Sequence, residues 1–285
     1  MKSAILYFIC LHLISSVFFA ATATKSYADS YLHPSTNVQI IWNIEADMFP
    51  KNWRSKKINA KAMKISEDEI VRSLEIIKLA IQKYPAYLVR ENLTKVYIVH
   101  KLSYFGVSTS GTNSHNRIYI ANSGLSKGYT NDFVEKLFHA EFSSILLRNH
   151  KSFFTDSSWK RINPVNFRYG KSGVDFVKKG KASERFKNEF LNAGFLNQYA
   201  TSTLENDFNS VVKRLFMNEK KLWEIARYNK AIGQKILLTL EFYHKLNPIF
   251  TRKYFQLLPQ MSFKRHFYGD SLDFKKKSAI TISNY

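Results

Sequence analysis

Residues 138–150 read FHAEFSSILLRNH, and the reading of this stretch decides the fold. With the residues before it, it predicts one helix over 131–149, with Phe138, Phe142 and Ile145 on one side and Val134 and Leu137 close by. On such a helix, the pattern H-E-x-x-H aims two imidazoles, one turn apart, at a single Zn²⁺. Its Glu then reaches the metal-bound water as general base. Anchored on Glu141, the two ligand positions fall on Ala140 and Ser144 and only the base is kept. Anchored on His139, the Glu position becomes Ala140 and the second His becomes Ser143. Neither anchoring yields the full set. His139 and Glu141 are two residues apart, about 200° around the axis, so a regular helix turns them to nearly opposite sides.

The segments before this helix read as a small sheet with one helix. VQIIWNI (38–44), TKVYIVH (94–100) and RIYIA (117–121) are β-branched and aromatic and predict three strands. Residues 51–64 read as a basic, polar connector, and YFGVSTSGTNSHN (104–116) as a loop. Ser66 with Glu69 fits a capping box ahead of an apolar stripe at Ile70, Leu74, Ile77 and Ile81, and Pro85 ends that helix. After the motif, 151–181 is polar, aromatic and broken by Pro164, Gly170, Gly173 and Gly180, a long excursion. From Ser183 the pattern predicts helices over 183–199, 203–217, 219–245 and 248–257.

The two ends read differently from the middle. Met1-Lys2, an apolar run from Ala4 to Ala21 and the small residues at 21–23 and 26–28 form a secretory signal pattern, with cleavage after Ala28 preferred and after Ala23 second. Residues 261–285 are basic and irregular and read as a C-terminal tail. One α+β domain over 29–260 remains, with no transmembrane span expected in the mature chain. Cys10 is the only cysteine and falls within the signal, so a thiol enzyme is excluded and any zinc site must use His, Asp or Glu. No Gly-x-Ser-x-Gly elbow and no phosphate-binding glycine loop is present. The net charge is +21, and losing Lys2 and Lys25 with the signal leaves +19. Such a chain attracts anionic envelope polymers or lipids. No nucleic-acid recognition motif accompanies the charge, and none is expected in an exported protein.

Three blocks, SGTNSHNRIYIAN (110–122), FHAEFSSILLRNH (138–150) and FLNQYATSTLENDFNSVVKRLF (195–216), read in order, resemble a family of secreted or lipid-anchored zinc metallopeptidases of Gram-negative bacteria. The resemblance covers about 95–245. It implies a metallopeptidase-like α+β fold with a small N-terminal sheet, a long motif helix and a mainly helical C-terminal half. It also implies a third metal ligand from the later acidic segment, here Glu205 or Asp207, and a protein or peptide as substrate or ligand. The chain departs from the family at Ala140 and Ser144, where ligand His is expected. The candidate site is thus Glu141 as catalytic base, with His139, Glu205 and Asp207 as metal ligands and zinc as the metal. Bland readings stand beside these: Glu141 as a hydrogen-bonded core acid, His139 as a satisfied buried His, and Glu205 and Asp207 as acids favoured at a helix start. The leading expectation is an exported homologue that is weak or inactive as a protease and is kept for binding. The alternatives are an active enzyme using His139 and Glu205 around Glu141, and a basic envelope-binding protein without metal.

Overall fold

The structure, a computed structural model, describes residues 29–258; the signal segment 1–28 and the tail 261–285 lie outside the described residues. Its centre is a mixed sheet in the order β1-β2-β4-β7-β6, with β3 and β5 paired to β4 as well. The strands are β1 (Ser30–Leu32), β2 (Gln39–Ile41), β3 (Lys61–Lys64), β4 (Lys95–Tyr104), β5 (Val107–Thr109), β6 (Gly111–Asn113) and β7 (Arg117–Ala121). β4 runs parallel to β2 and β7, while β6 returns antiparallel to β7 and forms that edge. The alternation of β4 and β7 explains their central place. Val96, Ile98, Ile118 and Ile120 enter the main core with the helices, and Tyr97, Val99, Tyr119 and Ala121 pack on the other face under Met48 and Phe49.

Ten helices surround this sheet among the described residues: α1 (Glu67–Gln82), α2 (Ala86–Asn92), α3 (Asn131–Asn149), α4 (Asp156–Ile162), α5 (Gly173–Lys178), α6 (Asn188–Asn192), α7 (Leu204–Phe216), α8 (Lys220–Tyr228), α9 (Lys230–Leu246) and α10 (Arg252–Leu257). The architecture is α+β, as the sequence predicts. α3 begins where Thr130 Oγ1 accepts from the Phe133 amide. α7 begins in the same way, with Thr203 capping Asn206. α3 packs against α1, α7 and the β6–β7 edge, so the motif helix lies between the sheet and the helical half.

Several local expectations are corrected. Ser66 is the N-cap of α1 but makes no side-chain cap bond. Glu69 instead meets Arg72 Nε at 2.6 Å and accepts from Asn122 at 3.0 Å, which leaves no capping box. The sheet has seven strands rather than three, because β1 precedes the first predicted strand, the 51–64 connector holds β3 and the 104–116 loop holds β5 and β6. The 183–199 helix shrinks to α6: Gly194 turns left-handed at φ +80°, with its Cα so close to Ala231 that a side chain has no room. The 219–245 helix breaks at Asn229, whose side chain caps Ile232 and starts α9.

Candidate functional site

A cleft of about 660 Å³ opens between α3, the β5–β6 edge, the 171–184 segment and α7. From α3 it is lined by Phe133, Leu137, Ala140, Glu141 and Ser144, a stripe at helical spacing. The turn that the motif pattern assigns to metal ligands and base therefore faces the cavity. Ala140 and Ser144 occupy the two positions that the H-E-x-x-H pattern, anchored on Glu141, would give to imidazoles.

Glu141 Oε2 accepts a hydrogen bond from Asn113 Nδ2 at 2.7 Å. The amide of Asn113 is oriented in turn by Arg148, whose Nη2 donates to Asn113 Oδ1 at 2.7 Å and to the Ser114 carbonyl at 3.0 Å. β6 comes so near that a Cβ on Gly111 would lie 2.8 Å from Glu141 Oε1. Burial pushes the Glu141 carboxyl up to about 7; the Asn113 bond opposes this and the neighbouring Glu205 charge adds to it. An acid poised near neutrality in a cleft is the ordinary condition of a functional carboxyl.

α7 supplies the opposite wall. Asn209 Nδ2 donates to Ser144 Oγ at 2.7 Å, and Ser143 Oγ donates to Asn209 Oδ1. These bonds tie the two helices at the level of the motif. Glu205 lines the same cavity and is exposed, so it sits at the mouth. Lys213 lies within the wall and holds Glu184 at 2.6 Å. Burial lowers the Lys213 pKa, against the pull of Glu184. Tyr104 and Tyr199 line the cavity near Glu141, and burial raises both phenols.

The candidate residues thus divide. Glu141 and Glu205 both line the cleft. His139 does not: it is fully buried on the other side of α3, where its Nδ1 meets Tyr84 Oη at 2.8 Å and its Nε2 meets Glu135 at 3.2 Å. Burial lowers its pKa to about 4, so the imidazole is neutral at pH 7. Asp207 also turns away from the cleft. It is fully buried against Lys235 at 2.7 Å, Tyr169 at 2.6 Å and the Trp159 indole at 2.9 Å. A metal set of His139, Glu205 and Asp207 is therefore corrected, because two of its three members point into the core on other faces.

The residues present do not fit a zinc site. A catalytic zinc takes three protein ligands. Here alanine and serine fill the two positions one turn apart, and Asn206, Asn209 and Ser210 line the facing stretch of α7. Among the described residues no three His, Cys, Asp or Glu side chains converge as a metal requires. Sequence reasoning missed Asn113, Arg148, Asn209 and Lys213. The available signal was indirect: a lone acid on a cleft-facing helix needs a donor, and the SGTNSHN block next to β7 holds one.

No protein-family model matches this chain, and no curated protein matches it. Among solved structures, a chain from Bacteroides caccae ATCC 43185 described as a "putative zinc-binding metallo-peptidase" matches with a TM-score of 0.51 at 14% identity, over 78% of this chain and 85% of that one. At that identity the likeness shows a shared fold.

Proposed function

We propose that this chain is an exported protein of metallopeptidase-like fold that binds a ligand in the α3–α7 cleft and does not cut peptides through zinc. One observation carries the reading. The helix turn beside Glu141 faces a large cleft with Ala140 and Ser144 at the two ligand positions. The cleft presents an acid and the donor that orients it, and no imidazole lines it. The distant neighbour called zinc-binding supports the ancestry of the fold. Export is supported by the signal pattern over 1–28, and an anionic envelope partner by the net charge of +21.

The direct test is metal content and turnover of the mature protein. Purified protein dialysed against micromolar zinc is expected to carry well under one equivalent by atomic absorption. It is expected to leave a quenched-fluorescence peptide library uncut. One equivalent of zinc that survives dialysis, or zinc-dependent cleavage, overturns the reading.

A further inference from the structure

The cleft holds a charge imbalance that its own residues do not resolve. Five charged side chains line it: Glu141, Glu184 and Glu205 against Lys171 and Lys213. Glu184 and Lys213 neutralise each other at 2.6 Å. Lys171 is exposed on the rim, in water. Neither Glu141 nor Glu205 has an ion-pair partner among the described residues, although the whole chain carries +21. The short side chains of Ala140 and Ser144 leave space beside Glu141. Tyr104, Tyr129, Phe133 and Tyr199 add aromatic surface, and an organic cation between carboxylates gains from such rings.

A second observation points to a ligand independently of the acids. Asn197 lines the same cleft and is 1% exposed. Its Oδ1 accepts from the Ala200 amide at 2.8 Å, which fixes the orientation of the side-chain amide. Its Nδ2 has no hydrogen-bond partner among the described residues. An amide donor fixed in orientation and open to a cavity takes its acceptor from water or from a ligand that displaces that water.

We propose that the cleft binds a small molecule with a primary ammonium group and a hydroxyl or carbonyl oxygen a few atoms away. The ammonium sits between Glu141 and Glu205, and the oxygen accepts from Asn197. Glu205 and the ionised form of Glu141, which a bound cation favours, meet N–H donors of the ammonium, and the open amide finds its acceptor. This rests on the reading of the cleft as a ligand site without metal.

Amino sugars and amino-acid derivatives share this chemistry, and two probe pairs separate them. Calorimetry with chelator present compares the glucosamine disaccharide with its N-acetylated form, and serine amide with N-acetylserine amide. At least one charged member is expected to bind 10-fold or more tightly than its acetylated partner, and the pair that does so names the source. Glu205→Gln, at an exposed position, is expected to reduce that preference at least 3-fold, and Asn197→Ala to weaken binding of the charged member. The inference is overturned if neither charged probe binds, if acetylation makes no difference, or if Glu205→Gln keeps the full preference. Stoichiometric zinc in wild type, measured separately, sinks the metal-free reading instead. Failure of the amine alone in a zinc-free protein sinks only this inference.

Discussion

At the scale of single residues, Glu141 is held in a place that costs stability. Its carboxyl has a folded value of about 7 against a reference of 4.5. Between those values the folded state binds more protons than the unfolded chain, so stability falls as pH rises from about 4.5 to about 7 and then levels off. At 1.36 kcal/mol per unit the cost amounts to roughly 3 kcal/mol above neutrality. Glu141→Gln removes the charge and keeps an acceptor for Asn113. Urea unfolding should find this variant more stable than wild type at pH 8, by up to about 3 kcal/mol, with the gap closing near pH 4.5. An equal difference at both pH values would mean that Glu141 is not desolvated. Asp207 is the contrasting acid. Its partner Lys235 is as buried as it is, so Asp207→Ala strands a charge in the core and should cost about 3–5 kcal/mol in the same measurement. It should leave binding in the cleft unchanged in the fraction that stays folded, since the side chain faces away from it.

At the scale of elements, the site depends on β6, a three-residue strand. Gly111 lets β6 lie against Glu141. Gly111→Ala places a methyl group on the carboxyl and should push it outward, away from Asn113. Loss of the Asn113 bond raises the Glu141 midpoint and escape from burial, the larger cause, lowers it, so the midpoint followed by carbon-13 NMR should fall from about 7 toward the usual carboxylate range. An unchanged midpoint would show that this contact does not position the acid. This element is also where the sequence was least legible. α3 and β7 follow from strong periodicity, and their bounds are as expected, 131–149 and 117–121. β5 (VST) and β6 (GTN) are three-residue runs inside a stretch rich in Ser, Gly and Asn whose local signal is that of a loop, and only pairing with β4 and β7 makes them strands. The break at Asn229 hid for a related reason, since one capping side chain inside a long apolar pattern is a weak mark. The motif turn itself was legible once anchored on Glu141. A satisfied, buried His139 stood among the readings of the sequence, but the core burial of Asp207 did not, because at a helix start an acid is expected in solvent.

At the scale of the whole molecule, a chain of net charge +21 carries a cleft in which Glu141 and Glu205 have no ion-pair partner among the described residues, and we propose that it is exported. Among the described residues no helix is long and apolar enough to cross a membrane. N-terminal sequencing of protein recovered outside the cytoplasm should begin at Asp29, or at Thr24 as second choice. An intact Met1 on such protein would remove the export proposal. The fold, the cleft and the proposed absence of metal ligands meet in one experiment, the calorimetric zinc titration of wild type beside the double variant Ala140→His/Ser144→His. The two substitutions restore an i, i+4 imidazole pair next to Glu141, with Glu205 across the cleft as the acid within the same cavity. Wild type should bind zinc weakly or not at all, and the double variant should bind at least about 100-fold more tightly, since each imidazole adds a direct metal bond. Tight stoichiometric zinc in wild type, or no gain in the double variant, would contradict the reading of this cleft as a metallopeptidase site that lacks its ligands.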